Sequence, residues 1–233
     1  MPPEFIPTLT RDPAEVAAAH ALRRACFVEE LGAQTDADGF DAMADHLVLR
    51  DRARPEAGVV ATLRLLDGTP CTAREFDLSR LHATGKRLAE AGRACVHRDY
   101  RDGLAGLLLL SELLRQVRDR GVAYLVGAAS FPGADPIRHM PALRRLRMDA
   151  PAPSALAPRA RGSAAVAIQG EAPRGAMRQV PSLIKTYLRA GALVGEGAYV
   201  DRAFNTVDVC MVLDPDRARQ PGERRPGSEA DAR

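Results

Sequence analysis

The sequence predicts an α+β fold, a mixed and mostly antiparallel sheet flanked by helices. Two observations predict it. Helical periodicity recurs at residues 13–30, 106–120 and 181–192, and short apolar or alternating runs lie between and after these segments, at 46–51, 59–66, 91–96, 124–129, 194–200 and 206–213. The first two runs are separated only by a short loop, which makes them antiparallel neighbours, and helices interspersed among such strands must cover the faces of one sheet. A third observation bounds the size: 233 residues, 46% hydrophobic and 27% charged, are enough to bury one proper core.

The elements follow in order. Asp12 caps a helix with Pro13 at its first position, and small or apolar residues recur to about Glu30. HLVLRD (46–51) and VVATLRLL (59–66) are strands joined by a loop holding Pro55 and Gly58, while EFDLSRL (75–81) reads as an edge strand or a turn. Ala91–Val96 is the central strand and ends in an Arg-rich turn. Leu107, Leu110, Leu113, Leu114 and Val117 fall at helical spacing over Gly106–Arg120, and Gly121 ends that helix. Tyr124–Ala129 returns as a buried strand, and Pro141–Arg147 is helical. A Pro/Ala-rich stretch over 150–178 is a linker or lid excursion. Pro181 opens a further helix, and Val194–Val200 and Thr206–Leu213 are closing strands. Residues 1–213 are expected to form one domain, and the polar, Pro- and Arg-rich residues 214–233 a disordered tail.

Composition excludes several classes. A net charge of +3 without interleaved aromatic and basic residues argues against nucleic-acid binding. The cysteines, Cys26, Cys71, Cys95 and Cys210, are scattered without a CxxC, so no metal site is expected and they read as reduced, buried small hydrophobes. The N-terminal residues lack the regions of a signal peptide, and the longest apolar run, Leu107–Leu110, is far too short to span a bilayer. These features predict a cytoplasmic protein whose membrane contact is peripheral.

The stretch EAGRACVHRDYRDGLAG (90–106) carries the most chemistry. A strand ends in an Arg-rich turn directly before a helix, which aims backbone N–H groups and positive charge at one spot and suits a phosphate. Glu90 and Arg93 stand in a run that looks buried, where charge without a partner is costly. They read either as a site or as a surface ion pair at a corner. Arg64, inside ATLRLL, also needs a partner, which Asp38, Asp41 or Glu90 can supply. Arg23 and Phe27 share a helix face, and Asp38 and Asp41 sit in a loop before the first strand, either binding an amine or simply solvated.

RRACFVEELGA, ADHLVLRD, ATLRLL, EFDLS, EAGRACVHRDYR, YLVGAASFPG and PSLIKTYLRAGALVGEGAYVDRAFNTVDVCMVL together resemble, in order, the blocks of the bacterial ornithine N-acyltransferases, over roughly residues 15–213. The most specific are EAGRACVHRDYR and the block from IKTYLRAG onward. The resemblance implies the GNAT acetyltransferase fold and transfer of a (3-hydroxy)fatty acyl group from acyl carrier protein to the α-amine of L-ornithine, giving lyso-ornithine lipid. More distant kin are N-acyl amino acid synthases, with other acceptors, and acyl-homoserine lactone synthases. The lactone synthases' charged pattern matches Arg23 with Phe27, Asp38 with Asp41, Arg64, and Glu90 with Arg93. Their further aromatic is absent, since Gly32 and Ala33 stand there, which argues against a lactone-forming site. RDGLAG (101–106) departs from the acetyl-CoA enzymes' phosphate loop, which suits a carrier-protein donor.

From the resemblance, Glu90 is expected to be the general base, oriented by Arg93 and Arg64. Backbone N–H groups near Arg93–Val96 would hold the oxyanion, and Tyr100 or the amine's own proton would protonate the leaving thiolate. Arg23, Phe27, Asp38, Asp41, Asp201, Asn205 and Asp208 are the expected substrate contacts. Arg98, Arg101 and Gly103 are expected to meet the carrier and its pantetheine arm. No cofactor is expected beyond the carrier's phosphopantetheine, and the expected partners are acyl carrier protein, the amino acid and the inner membrane surface.

Overall fold

The computed structural model describes residues 2–101 and 104–219. The chain opens with an edge strand that the sequence reading does not place, β1 (Phe5–Thr10), antiparallel to β2 (Asp45–Asp51). Between them lies α1 (Pro13–Arg23). The Asp12 side chain accepts hydrogen bonds from the N–H groups of Ala14 and Glu15, and Pro13 fills the first turn. The helix continues as a wider π-helical turn over Arg24–Glu30 and stops at Gly32, whose φ of 80° suits glycine.

β3 (Val59–Asp67) pairs antiparallel with β2, as the short loop requires. The ambiguous EFDLSRL segment resolves into two short helices, α2 (Thr72–Glu75) and α3 (Ser79–His82), around a two-residue strand, β4 (Phe76–Asp77). β5 (Leu88–Val96) and β6 (Tyr124–Pro132) flank α4 (Leu104–Asp119), the crossover helix that a parallel pair requires, ended by Gly121 at φ 65°. α5 (Pro136–Asp149) starts earlier than expected, because Asp135 caps it and Pro136 begins it; Pro141 lies inside the helix.

The 150–178 stretch carries two short strands, β7 (Arg159–Ala160) and β8 (Ala165–Val166), paired with β4 and with a later strand. After α6 (Ser182–Ala190), the expected strand over Val194–Val200 is broken into β9 (Leu193–Val194) and β10 (Ala198–Asp201). Gly195 and Gly197 explain the break: a Cβ on Gly195 would lie 2.6 Å from Pro158 O, and Gly197 has φ 78°. β11 (Thr206–Leu213) closes the sheet, at the bounds its sequence predicts. Of the expected tail, residues 214–219 are described, and Arg118 donates to the carbonyls of Pro215 and Ala218; residues 220–233 lie outside the described residues.

The main sheet runs β1-β2-β3-β5-β6-β11-β10-β8, with β9 beside β11, and β5–β6 is its one parallel pair among the described strands. On one face, Leu47, Leu49, Ala89, Leu125, Val209, Met211 and Leu213 pack against Leu110, Leu113 and Leu114 of α4, Leu143 and Leu146 of α5 and Ile184 of α6. On the other, Val48 and Cys95 meet Ala19, Leu22 and Cys26 of the first helix and its π turn, while Leu88, Val126 and Cys210 meet Phe76, Leu78 and Leu81. Each fully buried Leu or Val contributes about 1.5–3 kcal/mol.

Candidate active site

β5 and β6 pair only over Leu88–Glu90 with Tyr124–Val126. Beyond that point Ala91–Val96 stays with β3 and Gly127–Pro132 stays with β11, so the two strands part and open a gap in the middle of the sheet. A β-bulge accompanies the parting: Thr62 faces Cys95 and Arg64 faces Gly92, which leaves one extra residue on β5. Arg93 lies within this bulge at φ 54°, a conformation a non-glycine residue adopts only when its surroundings hold it. Beyond Glu90 the backbone N–H groups of β5 on that side have no β6 partner and can serve a ligand, while the Val96 carbonyl is taken by Arg101 Nε at 2.9 Å.

A cavity of ≈ 270 Å³ passes through this gap. Strand alternation gives it two different ends. Arg64, Glu90 and Asp208 reach it from one face of the sheet, with Glu75, Arg93 and Asp201 beside them. From the face covered by α4 and α6 come Leu110, Leu113, Leu125, Ile184, Tyr187, Met211 and Leu213. A polar chamber thus opens through the sheet into an apolar one.

The arginines at the polar end are fixed by the carboxylates of the 36–41 loop. Arg64, 1% exposed, donates to Asp38 Oδ1 (2.5 Å) and Asp41 Oδ1 (2.9 Å). Arg23, 0% exposed, donates to Asp36 Oδ2 (2.6 Å) and to Asp41 Oδ1 and Oδ2 (2.7 and 3.2 Å). Burial pushes the Asp38 and Asp41 carboxyls up, but the bond from Arg64 in the first case, and those from Arg23 and Arg64 in the second, outweigh it and hold both below the usual carboxylate range. Arg93 donates to Asp38 Oδ2 (3.0 Å) and Asp36 O (3.1 Å), with its guanidinium 4.6 Å from the Phe204 ring centroid. Burial, then the nearby Arg64, lowers its pKa. Phe27 lines the cavity and packs on Phe204 with centroids 5.2 Å apart. Arg23, Asp38 and Asp41 do not line the cavity; they stand behind Arg64 and Arg93 and set their positions. Asp36, two residues before Asp38 and buried, completes this network and was not singled out in the sequence.

Glu90 is 3% exposed and lines the cavity, yet neither arginine pairs with it, contrary to the expected Glu90–Arg93 and Glu90–Arg64 contacts. Its Oε2 instead accepts the backbone N–H groups of Cys71 and Thr72, both at 3.0 Å, where the chain enters α2. The carboxylate is therefore oriented by main chain, and the bulge turns the Arg93 side chain toward Asp38. Cys71 also lines the cavity and receives Arg64 Nη2 at 3.0 Å. Burial, then the charge of Glu90, pushes its thiol up to about 12, so it stays protonated and is a poor nucleophile.

A second acidic group combines two expected substrate contacts with a residue that the sequence does not signal. Asp201 and Asp208 line the cavity, and Glu75, which was read only as part of an edge strand or turn, joins them, with one carboxylate oxygen from each within 4.8 Å of the others. Burial first, then Asp208 and Asp201, pushes Glu75 up to about 8. Burial pushes Asp208 up to about 6 against the opposing pull of the Ser130 and Thr206 hydroxyls. Asn205 does not join them: at φ 55° it turns the chain, donating Nδ2 to Leu31 O (3.0 Å) and accepting from Ala134 N at Oδ1 (3.3 Å). Tyr100 is also elsewhere, its buried hydroxyl donating to Asp51 Oδ2 at 3.1 Å, which removes it from thiolate protonation. Arg98 and Arg101 lie on the turn after β5; Arg98 is exposed, and Arg101 pairs with Glu30 at 2.7 Å. Gly103 lies outside the described residues. No described helix is long and apolar enough to cross a membrane.

Comparison with known proteins agrees with this architecture. The profile of the acetyltransferase (GNAT) domain matches residues 22–111. The L-ornithine N(alpha)-acyltransferase of Rhodobacter capsulatus is 43% identical over 229 residues, 88% of either chain. That of Rhizobium meliloti is 36% identical over 88% of this chain and 78% of its own. Among solved structures, an N-acyl amino acid synthase from uncultured soil microbes superposes with a TM-score of 0.57 at 13% identity, covering 92% of this chain and 93% of its own. The acyl-homoserine lactone synthase LasI superposes with a TM-score of 0.51 at 14% identity, over 90% of each chain; these two likenesses concern the fold alone. With its parted central strands, its GNAT domain and relatives at this level of identity, the chain belongs to the L-ornithine N(alpha)-acyltransferase family and is an N-acyltransferase of the GNAT fold.

Proposed function

We propose that this protein moves a (3-hydroxy)fatty acyl group from acyl carrier protein to the α-amine of L-ornithine, giving lyso-ornithine lipid. The observation that carries this reading is the cavity that crosses the sheet, polar on one face and apolar on the other. A thioester held in the gap can lay its acyl chain among Leu113, Ile184 and Met211 while its carbonyl faces the polar chamber. A small acetyl donor would have no use for the apolar end.

The chemistry follows from the groups in place. An ammonium cannot attack, so the α-amine first gives a proton to Glu90, directly or through one water. The nitrogen then bonds to the thioester carbon, and backbone N–H groups of β5 at the bulge, freed by the parting of the strands, receive the oxyanion. Collapse breaks the C–S bond as Glu90 returns its proton to the sulfur, and the surplus proton left on the attacking nitrogen then passes through the freed Glu90 to water, which leaves the neutral amide. Arg64 and Arg93, held by Asp38, put positive charge on one side of the polar chamber, the side where the acceptor's carboxylate lies. In this reading Arg98 and Arg101, on the turn that follows β5, meet the acidic carrier, and release of the lipid-like product brings the protein to the inner membrane surface.

The test is to offer the purified chain a 3-hydroxyacyl thioester on acyl carrier protein with a panel of amino acids and to identify the amide by tandem mass spectrometry. Nα-acyl-ornithine as the main product supports the reading. An amide on another amino acid moves the acceptor, and transfer only from acyl-CoA removes the carrier.

A further inference from the structure

We propose that Glu75, Asp201 and Asp208 form a pocket for the side-chain ammonium of the acceptor, and that this pocket selects a diamino acid over a neutral one. The inference rests on the reading that acyl transfer occurs in the cavity between β5 and β6.

The three carboxylates come from different elements, Glu75 from the end of α2, Asp201 from the end of β10 and Asp208 from β11, and converge on one point. Converging acids are ordinarily avoided, because like charges at this spacing suppress one another's ionisation. Among the described residues no lysine or arginine hydrogen-bonds any of the three: Arg93, the positive group that faces both Glu75 and Asp208, spends its hydrogen bonds on Asp36 and Asp38. Asp208 is 4% exposed, and its Oδ1 has no hydrogen-bond partner; Glu75 Oε2 has none either. A buried carboxylate oxygen without a donor is costly, so the arrangement lacks a positively charged donor.

Geometry says which kind. Oxygens at most 4.8 Å apart place a central atom no more than about 2.8 Å from each, the length of a charge-assisted N–H···O bond. An alkyl ammonium carries three N–H donors, one for each carboxylate, whereas a planar guanidinium cannot point at three converging acids. The position is also right for an acceptor. Glu75 and Asp201 line both the main cavity and a second, more open one bordered by Arg74, Ser163, Tyr199 and Arg202. The acids therefore sit where a small solute arriving from the open side meets the reaction chamber.

Norvaline, which has ornithine's carbon chain without the δ-amine, separates this pocket from the rest of the site. Binding of ornithine and of norvaline is measured by calorimetry, and kcat/KM for each with a loaded carrier, in the wild type, Asp208→Asn and Glu75→Gln. The wild type should favour ornithine by about 100-fold or more, since a buried polar site left unpaired rejects the analogue strongly, and that ratio should collapse toward one in either variant. A ratio that survives both substitutions overturns the proposal. So does a thermal stabilisation by Mg²⁺ or Ca²⁺ that the wild type shows and Asp208→Asn loses, which would make the pocket a metal site. Should Asp208→Asn fail to fold, Glu75→Gln, at a half-buried position, carries the comparison. Failure of the wild type to acylate any amino acid would defeat the proposed reaction, while the calorimetric preference would still decide the pocket.

Discussion

A Cβ on Gly127 would collide with the carbonyl oxygen of Ala91, so the backbone of β5 crowds Gly127 at the point where the two strands begin to part. Glycine at 127 lets the parallel pair stay tight up to Glu90 and open immediately beyond it. Gly127→Val should force the strands apart at the vertex and cost about 1–3 kcal/mol of stability, as overpacking does in a dense core. It should also lower kcat/KM more than the stability loss explains, because in the proposed reaction the backbone of Ala91–Val96 frames the reacting carbonyl. Thermal unfolding and steady-state kinetics on the same preparation check both.

Asp41 accepts from two buried arginines, so Asp41→Asn leaves Arg23 and Arg64 short of counter-charge where neither reaches water. A loss of about 3–5 kcal/mol is expected, measured by chemical denaturation at neutral pH. The acid limb of the stability curve should change as well. Asp38 and Asp41 titrate lower in the folded protein than in the unfolded chain. Their contribution is therefore complete above about pH 4 and lost as pH falls through the lowered folded values. The wild type should lose stability more steeply than Asp41→Asn as pH falls from about 4 toward about 2.

Met211 faces the apolar end of the cavity from β11. Met211→Trp should shorten the preferred acyl chain by filling that end, without moving the polar chamber. A thioester series of increasing chain length reads this directly: the optimum should shift to shorter chains, and an unchanged optimum would mean the tail runs elsewhere.

Local rules carried much of this structure. The Asp12–Pro13 cap, the Leu spacing of α4 and the apolar run of β11 are each fixed by neighbours in sequence, and each element lies where those neighbours put it. β1 and the interruption at Gly195–Gly197 were not legible, because an edge strand and a close backbone approach are decided by partners far along the chain. The site divides in the same way. Arg64 inside an apolar strand announced its need for a carboxylate, and Asp38 and Asp41 answer it. The spacing of Glu90 and Arg93 suggested a pair, but the bulge at Arg93 turns the two side chains to different partners. Glu75 carried no local signal at all, since only the packing of α2 against the sheet brings it to Asp208.

The most direct test is the rate of amide formation by Glu90→Gln in a single turnover with acyl carrier thioester and ornithine. Glutamine keeps an oxygen for the Cys71 and Thr72 N–H groups, so the fold should persist, which thermal unfolding verifies. The account predicts a loss of at least about 100-fold, the usual worth of a positioned general base. A folded variant that acylates ornithine at the wild-type rate would contradict it.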